Sequence, residues 1–157
     1  MNNKILLSLI LFFIATASFS QKLQLNDILK AYTLDSVALK EFAKEKQYLL
    51  TEVQEDNYKI SHTYKSTVDK KLSFIRTFPK QDKSLVFLYY YYHERKDAKG
   101  FVEALKGTDF KKFRSYEMPV GGYREGYGTD SLELELSTSN YGPSKRAVLL
   151  YKRVNFK

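Results

Sequence analysis

Few residues in this chain have the types and spacing that catalysis or metal binding requires. The candidates are His62, His93, the pair Glu133 and Glu135, and the run Gly121-Gly122-Tyr123-Arg124-Glu125-Gly126-Tyr127-Gly128. Each histidine falls within or at the end of a predicted strand, and neither has a second histidine or a carboxylate nearby at metal-ligand spacing. Both read as half-exposed strand residues. Glu133 and Glu135 alternate with Leu132, Leu134 and Leu136, so their carboxylates share one face of a strand, an arrangement a general acid and base can use. The strand expected to face them carries Lys152 and Arg153, and cross-strand ion pairs are the plainer role. The glycine-rich run lacks both the dinucleotide-binding spacing and the Lys-Ser/Thr ending of a phosphate loop, and it reads as a bent strand or bulge. No serine lies in a nucleophile elbow. With no cysteine, the chain has no thiol nucleophile and no thiolate ligand. The expectation is a protein that is not an enzyme and has no metal or cofactor site.

The most unusual cluster is Tyr89-Tyr90-Tyr91-Tyr92-His93. On a strand, alternation sends Tyr89 and Tyr91 to one face and Tyr90 and Tyr92 to the other, so both faces receive large rings with polar tips. One face must pack beneath helices. The other either covers neighbouring strands or presents the hydroxyl-edged aromatic surface that protein interfaces favour. The corresponding strand of the second half, Leu149-Leu150-Tyr151-Lys152-Arg153, replaces outward tyrosine with charge. Candidate partner-binding residues are therefore Tyr89, Tyr90, Tyr91, Tyr92, Tyr151, Lys152 and Arg153.

The elements that must position these residues follow from periodicity. Asn26 or Asp27 can cap a short helix with apolar Leu25, Ile28, Leu29 and Tyr32, and Asp35 can cap a second carrying Leu34, Ala38, Leu39, Phe42 and Ala43. Strands are predicted over 48–53, 58–65, 72–78 and 85–92, separated by polar turns. A further helix, capped by Asp97, carries Phe101, Val102 and Leu105 and stops at Gly107. Strands follow over 110–116, 123–127, 132–138 and 147–154. Tyr and Phe total 24 with no Trp, a composition that suits sheet.

Ahead of this pattern stand Lys4, the thirteen-residue apolar run Ile5 to Ala17, and Ser18-Phe19-Ser20, which together read as a secretory signal peptide cleaved after Ser20. The run is short of the about 20 residues a membrane span needs. Residues 21–157 then form one domain, and with no cysteine they rely on an apolar core. The whole chain has 26 basic and 18 acidic side chains, and removal of the leader takes one lysine. The positive charges are scattered in pairs, Lys70-Lys71, Lys111-Lys112, Lys145-Arg146 and Lys152-Arg153, which with export argues against nucleic acid and fits an acidic partner.

The two halves, about 25–93 and 97–157, can be laid over one another: Tyr48 on Phe110, Tyr58 on Tyr123, Leu72 on Leu132 and Val86 on Val148, at offsets of 62, 65, 60 and 62. A near-constant offset suggests duplication of a helix-plus-four-strand unit. This order resembles the architecture of β-lactamase inhibitor proteins, and also that of single-unit outer-membrane assembly lipoproteins. Those inhibitors carry disulfides and those lipoproteins a lipidated cysteine, and this chain has neither. The resemblance implies binding to another protein.

The expected fold is α+β: two tandem helix-plus-antiparallel-sheet units, with two to three helices and about eight short strands, in one continuous sheet with helices on one face. The expected role is that of a small exported binding protein, acting on a partner protein in the bacterial envelope as inhibitor, immunity factor or assembly accessory. It would be soluble in the periplasm or outside the cell, with no membrane span after cleavage. The alternative is a carrier that holds an apolar or anionic small ligand between helices and sheet.

Overall fold

The computed structural model describes residues 22–81, 86–119, 121–138 and 146–153, with backbone alone at Arg95. The expected leader, its cleavage point after Ser20, and Leu85 and Val154 at the ends of two expected strands lie outside the described residues. In chain order come α1 (Leu25–Thr33), α2 (Ser36–Glu45), β1 (Tyr48–Glu55), β2 (Lys59–Ser66), β3 (Ser73–Pro79), β4 (Phe87–Tyr91), α3 (Arg95–Leu105), β5 (Lys111–Glu117), β6 (Tyr123–Gly128), β7 (Leu132–Ser137) and β8 (Ala147–Lys152). The strands make one antiparallel sheet in the order β1-β2-β3-β4-β8-β7-β6-β5. The fold is α+β with one open sheet, as the patterning predicts. Each half pairs its strands in chain order, and the halves meet where Leu88 opposes Leu150 and Tyr90 opposes Val148. Among the described residues no helix is long and apolar enough to cross a membrane.

Helix starts follow local hydrogen-bond supply. Asp35 caps α2 as expected, its Oδ1 accepting the Val37 and Ala38 amides at 2.9 and 2.8 Å. Helices α1 and α3 begin earlier than Asp27 and Asp97 imply. Their caps are Gln24 and Glu94, and the two aspartates occupy the third helical position, accepting the cap amides at 3.0 and 3.2 Å. In this reciprocal box the carboxylate serves the cap residue and does not itself cap. Lys22 joins the two starts: its Nζ lies 2.9 Å from Asp97 and 3.2 Å from Glu94.

Among the described residues, α1, α2 and α3 lie on one face of the sheet. Leu25, Ile28, Ala31, Tyr32, Leu39, Phe42, Phe101 and Leu105 cover the inward side chains Tyr48, Tyr64, Phe74, Leu88, Tyr90, Leu134, Leu136, Val148 and Leu150, all buried. Tyr64 stacks on Phe74 with centroids 4.6 Å apart, and Phe101 meets Tyr90 edge-on at 6.1 Å. Among the described residues one cation lies inside this core. Arg76, 5% exposed, is held between the rings of Tyr32 and Phe78, at 4.8 and 5.0 Å, and donates to the carbonyls of Tyr32 and Thr77. Tyr32 lies in the last turn of α1, where helix carbonyls lack partners and a positive charge is favoured.

Candidate functional site: the open face of the sheet

The face turned away from the helices holds a trough of about 550 Å³ lined by side chains from seven strands. Every lining residue belongs to the sheet, so among the described residues no element roofs it. The floor is formed by β3, β4 and β8, through Ile75, Phe87, Tyr89, Tyr91, Ala147 and Leu149. One wall, from β1 and β2, carries Glu52, Gln54, Lys59, Ser61 and Thr63, and the other, from β6 and β7, carries Arg124, Glu135 and Ser137. Six strand spacings of about 4.8 Å separate β1 from β6, so the face is about 29 Å across. That is the width of the patch of about 800 Å² per partner that a standard protein interface buries.

Tyr89 and Tyr91 stack in parallel on the floor with centroids 6.1 Å apart, and Phe87 meets Tyr89 edge-on at 5.3 Å. Burial, and then the neighbouring Tyr89, raise the Tyr91 hydroxyl above its usual pKa. Among the described residues neither hydroxyl makes a hydrogen bond. The buried tyrosines of the same segment differ. Tyr90 is 1% and Tyr92 4% exposed. The Tyr90 hydroxyl accepts the Leu23 amide at 3.1 Å, and that of Tyr92 donates to the Ser137 carbonyl at 2.7 Å. Burial pushes Tyr90 up to about 12 and raises Tyr92 as well. Alternation thus separated the four rings as expected, but Tyr90 and Tyr92 belong to the core and leave the set of candidate contact residues.

The other three candidates also divide. Tyr151 is half-buried on the open face, and its hydroxyl donates to Glu133 at 2.7 Å and Glu135 at 3.1 Å. Burial, and then the hydrogen bond to Glu133, raise its pKa. Arg153 lies 3.6 Å from Glu133 and donates to the Thr129 carbonyl at 3.0 Å. Lys152 leaves the set: it opposes Leu132, which packs on the core, so it projects from the helix-covered face at the sheet's end.

Glu133 and Glu135 do share one face, and they are held in an ion-pair network. Glu133 takes Arg153 as expected, whereas Glu135 takes arginines from β5 and β6: it accepts a hydrogen bond from Arg114 and lies 3.7 Å from Arg124. The reach of Arg114 depends on Gly126. Arg114, Gly126 and Glu135 occupy one row on the open face, and a Cβ at Gly126 would come within 2.6 Å of Arg114 Cγ and 2.9 Å of Phe113 Cζ. With no side chain there, the arginine crosses β6 to reach β7. The sequence predicts a bent strand or bulge in the glycine-rich run; a bulge is found on the partner strand, at Phe113 between the paired residues Lys112 and Arg114. Gly121 and Gly122, with φ of 80° and 97°, form the turn into β6, a backbone region that L residues avoid.

The histidines lie elsewhere. His62 sits on the helix-covered face, edge-on to Phe78 at 5.0 Å, with Nδ1 3.4 Å from the Tyr64 hydroxyl. Burial, and then the charge of Lys40, hold its pKa below the usual value. His93 is exposed after β4, with Nε2 3.2 Å from Lys71 Nζ. Among the described residues no group of three His, Asp or Glu side chains is placed to hold a metal ion. The residues that sequence reasoning missed are Arg114, Arg124, Phe87, Ile75 and Leu149. A signal for the first two was present in the alternation Arg124, Gly126, Gly128, which empties one face of β6 beside a basic strand.

Compared with protein-family models, with curated proteins and with solved structures, the chain matches none.

Proposed function

We propose that this protein is a small exported binding module that holds a partner protein of the bacterial envelope against the open face of its sheet, as an inhibitor, immunity factor or assembly accessory does. The observation that carries this reading is the pair Tyr89 and Tyr91. Their rings floor an unroofed trough and their hydroxyls engage no described residue, while the hydroxyls of Tyr90 and Tyr92 are bonded inside the core. Large rings with free polar tips at the centre of an interface-sized face are what protein recognition uses. The tandem order inferred from the near-constant offset of the two halves, on which the resemblance to β-lactamase inhibitor proteins rests, is supported by their matching pairing order. The test is affinity capture from an envelope fraction, comparing the wild-type protein with Tyr89→Ser/Tyr91→Ser. Loss of the captured protein, with an unchanged circular dichroism spectrum and melting temperature, is the expected result. A partner retained at full yield would remove the reading.

The carrier reading is favoured by one feature, a groove of about 570 Å³ between α3 and β6–β7 lined by Ala98, Val102, Tyr123 and Leu136. It lies on the sheet face opposite the trough, so occupancy of the groove would leave the Tyr89/Tyr91 variant unaffected.

A further inference from the structure

Deepening the docking reading, on which it rests, we infer that the trough receives an aspartate or glutamate side chain of the partner in the notch between Tyr91 and Arg124. The register defines the notch. Tyr91, Ala147, Ser137 and Arg124 stand in one row across β4, β8, β7 and β6, all on the open face and all lining the trough. The two middle side chains are short, so the row dips between a phenol and a guanidinium whose backbones are three strands, about 14 Å, apart. In the next row the same two strands carry Leu149 and Glu135, which fill the dip.

The charges around the notch favour an anion. Arg114, Arg124 and Arg153 face two carboxylates, Glu133 and Glu135, so the network has one positive charge in excess. Glu135 is already engaged by Arg114 and by the Tyr151 hydroxyl, and its distance of 3.7 Å to Arg124 is beyond hydrogen-bond range. Among the described residues the Arg124 side chain makes no hydrogen bond, and its Nε is shielded without a partner. Its terminal nitrogens therefore keep their donors, as the Tyr91 hydroxyl keeps its own. A carboxylate has lone pairs enough to accept from both at once, and a guanidinium binds it in a forked, charge-assisted geometry. A lysine in the notch would be repelled, and an amide would lose the ion pair and the two-oxygen fork.

The experiment is an amide-shift titration of the isotope-labelled protein with N-acetyl-aspartate N-methylamide, N-acetyl-asparagine N-methylamide and inorganic phosphate as three separate probes. The expected result is saturable shifts at Tyr91, Arg124, Ser137 and Ala147 with the aspartate probe, and affinity about 10- to 100-fold weaker with asparagine. Arg124→Gln is expected to abolish that preference and Arg124→Lys to retain part of it. Equal response to the aspartate and asparagine probes, an aspartate preference that survives Arg124→Gln, or phosphate binding at least as strong would each overturn the inference. The docking reading has its own readout. If partner capture needs Tyr89 and Tyr91 yet ignores both Arg124→Gln and added salt, the acidic contact fails while docking on this face stands.

Discussion

Gly126→Ala tests how the basic wall of the trough is built. An alanine Cβ would sit 2.6 Å from Arg114 Cγ, 2.7 Å from Arg114 Nε and 2.9 Å from Phe113 Cζ. Ordinary contacts are about 3.5–4.0 Å, so the arginine must retreat by about 1 Å and give up its bond to Glu135. The side chains of that pair are 38% and 13% exposed, so after solvent screening the bond is worth about 0.5–1 kcal/mol. Crowding adds about 1–2 kcal/mol. Against this, replacing glycine stiffens the unfolded chain and returns about 0.4–1 kcal/mol. The net expectation is a loss of about 1–2 kcal/mol, read as a fall in the urea midpoint at constant slope. In an Arg114→Ala background the closest contacts vanish and the half-exposed Phe113 ring is free to swing, so the same substitution should be neutral within about 0.5 kcal/mol. The coupling in this double-mutant cycle is the decisive quantity. If the two changes were additive within about 0.5 kcal/mol, Gly126 would not be the passage for Arg114.

Two further outcomes need no partner. Tyr90→Phe leaves the buried Leu23 amide without its acceptor and should cost about 1–3 kcal/mol in urea unfolding, whereas Tyr91→Phe should stay within about 0.5 kcal/mol; equal costs would contradict the assignment of faces. Glu94 is held down to about 2, from an ordinary 4.5, by hydrogen bonds from Lys96 and then Lys22. Because its folded value is depressed, its contribution is present above pH 4.5 and is lost as pH falls through about 2. Glu94→Gln should therefore lower the melting temperature near neutral pH and have a much smaller effect at about pH 2, and a difference that persisted undiminished there would refute the linkage.

The strands were legible because breaks such as Glu55-Asp56-Asn57 interrupt runs of aromatic and β-branched residues. The partition of Tyr89 to Tyr92 into two faces was legible for the same geometric reason. Which face is open was not, since alternation treats the faces alike. The choice is made by long-range contacts: Phe101 against Tyr90 and Tyr92, and the Leu23 amide on the Tyr90 hydroxyl. Asn26 or Asp27, and Asp97, read as caps from sequence because a capping box holds two polar residues three apart, and sequence does not say which of them leads. The Arg114–Glu135 bond spans three strands, so it is visible only once the β5-β6-β7 register places Gly126 between them.

The distribution of polarity across the sheet indicates where recognition is concentrated. An antiparallel sheet covered by helices on one face is expected to turn polar side chains outward on the other. β1 and β2 obey this rule, with Glu52, Gln54, Ser61 and Thr63 facing water. The central strands break it, placing Phe87, Tyr89, Tyr91, Ala147 and Leu149 on the solvent side. The two sheet edges are guarded against strand addition: β1 bulges at Thr51 and carries Glu52 and Glu55, and β5 bulges at Phe113 and carries Lys111, Lys112 and Arg114. Bulges and charges of this kind discourage another chain from pairing with an edge. A partner is therefore offered side chains from the middle of the face in preference to backbone from its rims, and substitutions at Tyr89 and Tyr91 should outweigh any along β1 in their effect on capture.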